Sequence, residues 1–193
     1  QDMYHDLFVY LGYNESIKQS VFKHRAETMG DGELLALDST TIYTESENLN
    51  VGRSAPHKDK LIKNVYKIVE IYSITSRQPI AYARIPGNIS DGTTVENALK
   101  QLDILGCPKV EIVADSGYSA ESNMIMMIKN SYPFIMHIPT DTKWTQPLIN
   151  EYRDKLMNGG EIIHCDPKFS GVTVMQIHDF AYEDYGKNWL AYR

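Results

Sequence analysis

The chain has 193 residues, 42% hydrophobic and 23% charged, with a formal net charge of −6. That is enough for one domain, or one domain and the start of another, with a real core. The acidic balance excludes a surface that binds nucleic acid over its whole extent, because phosphates call for a positive field.

No apolar run reaches the ~18 to 20 residues of a membrane span. The opening "QDMYHDLFVY" lacks both the charged and the apolar part of a signal peptide. A cytoplasmic protein with no membrane partner is therefore expected. Cys107 and Cys165 are far apart without CxxC spacing, so free thiols are expected rather than a disulfide framework. His164 beside Cys165 has no second ligand pair at structural-zinc spacing.

In chain order, residues 1–31 read as a helical lead-in. Leu7, Tyr10 and Leu11, then Ile17, Val21 and Phe22, follow three-to-four spacing, broken near Gly12 and ended by "MGDG". "ELLALD" is a short buried strand ending on Asp38. Residues 44–60 are polar and punctuated by Gly and Pro, which predicts a long loop of the kind that often carries function. Between Arg53 and Lys67 the chain has Arg53, His57, Lys58, Lys60, Lys63 and Lys67 against one acid, Asp59. Arg53, Lys58, Lys60 and Lys63 are the candidate DNA contacts, with a solvated loop and strand edge as the alternative.

"NVYKIVEIYSI" and "IAYARI", joined across "TSRQP", predict an antiparallel hairpin. Thr93 with Glu96 reads as a capping box opening a helix with Val95, Ala98, Leu99 and Leu102 on one face, ended by Gly106 and Pro108. "KVEIVAD" is an apolar strand closing on Asp115. A helix over 120–130 follows, with Ala120, Met124, Met127 and Ile128 as its buried stripe, and the methionines are core filling. The strand "PFIMHIP" completes an α/β fold with a mixed sheet. Residues 140–193 change character: a polar helix over 146–157 gives way to the short strands "EIIHC", "VTVMQIHDF" and "NWLAYR".

The strands ending on Asp38 and Asp115 are joined by a crossover containing a helix, which suits parallel neighbours. Their carboxylates would then stand side by side at the carboxyl ends of the strands, where open α/β sheets bind ligands. Two carboxylates so placed repel each other unless a cation lies between them. Hard oxygen ligands with open positions suit Mg²⁺ or Mn²⁺ and phosphoryl transfer. Aspartate after a strand is also a common turn or cap residue, and the pairing of the two is what favours the metal reading.

The series "ALDSTTIY", "PIAYARIPGNISDGTTVENAL" and "KVEIVADSGYSAESNMIMMI" resembles the catalytic domain of DDE transposases of the insertion sequence 4 group. The resemblance implies an RNase H-like fold over residues 32–139 and a β-rich insertion beginning at 140–193. It makes Asp38 and Asp115 the first and second metal-binding acids, and Gly87, Asn88 and Asp91 a GN-x-x-D turn. That turn is expected to be structural, Gly and Asn suiting a positive φ and Asp91 helping to cap the next helix. The resemblance also implies DNA partners (transposon ends and target), a homodimer, a hairpin intermediate and a nucleoid-associated location.

Two departures stand out. Ser116 occupies the place of an arginine found in many relatives. The third acid, a glutamate in a Tyr-x2-Arg-x3-Glu-x6-Lys signature, finds no match; it is expected beyond Arg193, with Glu151, Glu161 and Glu183 as stand-ins. The chain then reads as a fragment, one ligand short and inactive by itself. The rival readings are a non-catalytic DNA-binding or scaffold descendant and an RNase H-like metal-dependent nuclease.

Overall fold

Two helices lead into the sheet, α1 (Asp2–Tyr13) and α2 (Glu15–Glu27). Asn14 separates them: its side-chain oxygen accepts the Ile17 N–H and caps α2. From α2, Phe22 and Ala26 are buried, and the Phe22 ring meets Tyr82 edge-on at 5.2 Å between centroids. The computed structural model describes residues 2–45, 52–57, 60–107, 110–158, 161–162, 170–172, 177–180 and 189–192. The chain divides into two compact units, Gln1–Met136 and His137–Arg193.

Strand β1 is Glu33–Tyr43, so Asp38 lies within the strand and not at its end. The apolar run marks the half with neighbours on both sides. Parallel pairing with β5 (Val110–Ala114) stops at Leu37↔Ala114, while antiparallel pairing with β3 (Lys60–Ser73) continues to Tyr43↔Val65. The expected loop over 44–60 is also interrupted, by β2 (Arg53–His57), which pairs with the first residues of β3. Pro56 favours a loop, yet β2 is an edge strand, where a missing N–H is tolerated.

The predicted hairpin forms between β3 and β4 (Gln78–Pro86). Val65 pairs with Tyr43 on one side and Arg53 on the other, so β2 and β4 share the outer edge of β3. With β6 (Phe134–Met136) beyond β5, the strands run β4–β3–β1–β5–β6. Pairing is parallel among β1, β5 and β6 and antiparallel elsewhere in this sheet. This is the mixed α/β sheet that the sequence implies.

Helix α3 (Val95–Leu105) buries Val95, Ala98, Leu99, Leu102 and Leu105, and stops at Gly106 with φ +64°. The predicted capping box is absent. A 3-10 turn, Asp91–Thr94, precedes the helix, and the Thr93 and Thr94 hydroxyls donate to the Ser90 and Asp91 carbonyls. Glu96 turns outward to Lys100 at 2.6 Å. In α4 (Glu121–Lys129) the buried residues are Asn123, Met124 and Met127. Ala120 is an exposed N-cap and Ile128 only part-buried, while Asn123 is drawn in because its side-chain amide donates to the Tyr118 carbonyl at 3.1 Å. Leu35, Leu37, Ile71, Ile80 and Ile112 join α2, α3 and α4 in one core.

The second unit contains α5 (Thr145–Met157) and two small antiparallel pairs, β7 (Glu161–Ile162) with β8 (Ser170–Gly171) and β9 (Ile177–Phe180) with β10 (Trp189–Tyr192). The Thr145 hydroxyl anchors the start of α5, donating to the Thr142 carbonyl at 2.8 Å. Among the described residues no helix is long and apolar enough to cross a membrane.

Candidate metal centre

Leu37 and Ala114 are the last matched pair of the parallel ladder, and Asp38 and Asp115 are the residues that follow them. Adjacent strands lie about 4.8 Å apart, so the backbones deliver the carboxylates to neighbouring places on the rim. Both side chains are exposed. Asp38 Oδ1 accepts the Ser39 N–H at 2.7 Å, and Asp115 Oδ1 accepts the Gly117 N–H at 2.8 Å, capping the 3-10 turn Ser116–Tyr118. Across β1 on the other side, Asp38 is paired with Glu70 of β3, so two strand acids and Asp115, just past the end of β5, follow one another along the rim.

Behind the rim is a bonded group that sequence reasoning missed. Asp91 does not cap α3; its Oδ1 accepts the Ser39 hydroxyl at 2.7 Å and the Lys67 ammonium at 2.8 Å. Lys67 alternates along β3 with buried Val65, Val69 and Ile71, which carries it to the core side of the sheet with its side chain 15% exposed. A lysine in phase with an apolar face needs an acid partner, and that was the readable signal. Tyr118 is buried against the same group. Its hydroxyl is buried near Ser39 and the Asp91, Asp38 and Asp115 carboxylates. Burial, and then those carboxylates, push its pKa up to about 12.

Gly87 needs no positive φ, contrary to expectation, and neither does Asn88. What excludes a side chain at Gly87 is proximity: a Cβ would lie 2.4 Å from the Val65 carbonyl oxygen.

The transposase DDE domain family matches residues 29–167. The chain belongs to this family. Among solved structures, a piggyBac transposase synaptic complex with hairpin DNA is 12% identical at a TM-score of 0.46, covering 67% of this chain and 28% of that one. A Mos1 transposase paired-end complex with left transposon end is 10% identical at 0.38, covering 77% and 56%. A simian T-cell lymphotropic virus intasome in complex with PP2A regulatory subunit B56 gamma is 14% identical at 0.37, covering 67% and 40%. This DDE domain thus spans 28% to 56% of those chains. No curated protein matches it.

Transposase DDE domains use divalent metal ions. The donor set on this rim fits one: exposed, hard carboxylate oxygens on adjacent strands, with Glu70 adding to a negative charge that a cation relieves. Among the described residues no three His, Cys, Asp or Glu side chains converge closely enough to hold an ion. A carboxylate pair leaves positions open to water and phosphate oxygens.

Of the candidate DNA contacts in this DDE domain, Arg53 stands on β2 and Lys60 and Lys63 on β3, while Lys58 lies outside the described residues. Of the stand-ins for a third acid, Glu151 is on α5 in the second unit, Glu161 is on β7, and Glu183 lies outside the described residues, as do His164 and Cys165. Cys107 is a free thiol.

Proposed function

We propose that this chain is the catalytic core of a DNA transposase of the insertion sequence 4 group, in which Asp38 and Asp115 hold Mg²⁺ or Mn²⁺ during cleavage and strand transfer at transposon ends. The observation that supports this reading is the register Leu37↔Ala114, after which each chain continues directly into an aspartate, Asp38 and Asp115. When bound, the metal activates the attacking oxygen and stabilises the leaving one. The protein's part is to place oxygens. Asp38 is held in the antiparallel ladder with β3, one residue past the end of the parallel ladder, and Asp115 by the turn it caps. Their exposure leaves the rim open to a phosphodiester.

In this reading the partners are transposon-end and target DNA, the active assembly is a homodimer, and the location is the cytoplasm, on the nucleoid. Arg53, Lys58, Lys60 and Lys63 contact the DNA backbone. A third acid completes the ligand set, so the chain by itself holds metal weakly. In the transposase that contains this domain, Asp38→Ala or Asp115→Ala is expected to abolish cleavage of a labelled transposon-end duplex in Mg²⁺ or Mn²⁺. Normal cleavage by either variant would overturn the assignment.

A further inference from the structure

Asp91 touches three separate pieces of the fold. Through Oδ1 it holds Ser39 on β1 at 2.7 Å and Lys67 on β3 at 2.8 Å. Its Oδ2 faces the turn after β5: a methyl at Gly117 would sit 3.6 Å from that oxygen and 3.1 Å from Asp115 Oδ1. Its own turn packs on the same element, since a methyl at Gly92 would meet the Gly117 carbonyl oxygen at 3.5 Å and the Asn123 amide at 3.3 Å. Asn123 in turn donates to the Tyr118 carbonyl. Ser39 is the residue after Asp38, and its N–H bonds the Asp38 carboxylate. Gly117 is two residues past Asp115 and does the same for that one. One side chain therefore reaches both aspartate-bearing segments, next to the amides that orient their carboxylates.

We propose that Asp91, locked by Lys67 and Ser39, is a positioning residue that braces the Asp115 turn against the Asp38 strand and so sets the spacing of the two carboxylates. The inference rests on the metal-site reading above for its use, but not for its geometry. Lys67 has a definite part in it. Its ammonium balances the charge of Asp91 and binds the same oxygen as Ser39, so the carboxylate is tied to β1 and β3 together. Partners of this kind orient metal-binding groups without touching the ion.

The test uses the full chain and two readouts. In amide NMR spectra without metal, Asp91→Ala and Lys67→Met each move both the residue-39 and Gly117 signals, while Lys67→Arg leaves both near their original positions. Ser39→Ala removes one hydroxyl only; it moves Gly117, on a different element, and decides the matter if the other variants do not fold. A change confined to one side of the pair overturns the brace.

The second readout is Mn²⁺ affinity by electron paramagnetic resonance. Asp91→Ala, Lys67→Met and the double variant each bind about tenfold more weakly, the double no worse than the singles, because one unit is broken once. If Lys67→Met tightens binding and the charge-balanced double variant restores the parent value, the effect is charge alone and the brace is wrong. Asp38→Asn and Asp115→Asn report on the underlying reading. If both bind Mn²⁺ like the parent, the metal-site assignment fails, and the paired amide signals still decide the brace.

Discussion

Asp115 shows how one residue satisfies two readings. Its Oδ1 takes the Gly117 N–H, as any turn-capping aspartate does, and the carboxylate is nonetheless exposed beside Asp38. The local bond fixes the rotamer, which suits the ligand role proposed for this residue. Cys107, by contrast, is explained by its surroundings alone. Burial first, then the neighbouring Asp103 and Glu33 carboxylates, push its thiol from the ordinary 9.0 to about 11. The fold therefore favours the neutral thiol. Its contribution is fully present below pH 9, and it is lost as pH rises towards 11, because the unfolded chain gives up the proton first. Tyr132, raised by burial and by donating to Asp103, acts in the same direction at higher pH. The urea midpoint is expected to fall as pH rises above 9, less steeply in Cys107→Ala; identical slopes in parent and variant would contradict this.

Between elements, the decisive contacts are close backbone approaches. Where β4 ends, Gly87 donates its N–H to the Val65 carbonyl at 3.1 Å, and a Cβ would come within 2.6 Å of the Val65 carbonyl carbon. Neither atom belongs to a flexible side chain, so Gly87→Ala must part β3 from the turn that carries Asp91. The expected cost is about 3 kcal/mol, at the upper end of ordinary overpacking, measured by urea unfolding. A loss under about 1 kcal/mol would show that the turn yields easily. The sequence pointed to this glycine for the wrong reason, because a one-letter string carries no record of a strand on the far side of a turn.

The same limit separates what was legible from what was not. Periodicity and the order of apolar runs were enough for the sheet and for α3, whose buried face is the one expected. Tertiary pairing decided the rest: β1 continues past Asp38 because β3 supports it, β2 forms at an edge despite Pro56, and Asp91 turns towards Lys67 instead of α3. Of the candidate site, the two aspartates stand out in the sequence because each closes an apolar run. The brace was not, because its members are 24 and 52 residues apart in sequence.

Over the whole molecule, the proposed function asks an acidic chain to meet an acidic polymer. A net charge of −6 gives no general attraction for DNA, so any positive field has to be local. The run from Arg53 to Lys67 supplies one, but its last member is already spent: Lys67 is paired with Asp91 on the core side of β3 and largely withdrawn from solvent. The DNA contacts proposed for this chain therefore rest on Arg53, Lys58, Lys60 and Lys63. Binding through such residues releases counterions, so affinity falls with salt along a slope set by the number of phosphates neutralised. Reversing charge with Lys58→Glu and Lys60→Glu is expected to weaken binding across unrelated sequences and to flatten that slope by about one for each phosphate that is no longer neutralised. Lys67→Met is the matched control, because it removes a charge that is already balanced, and its salt slope stays that of the parent. Fluorescence anisotropy with a labelled duplex at several salt concentrations measures all three variants. If the reversals leave affinity and slope unchanged, the DNA lies on another face; if Lys67→Met flattens the slope as they do, Lys67 reaches phosphate and its pairing with Asp91 gives way on binding.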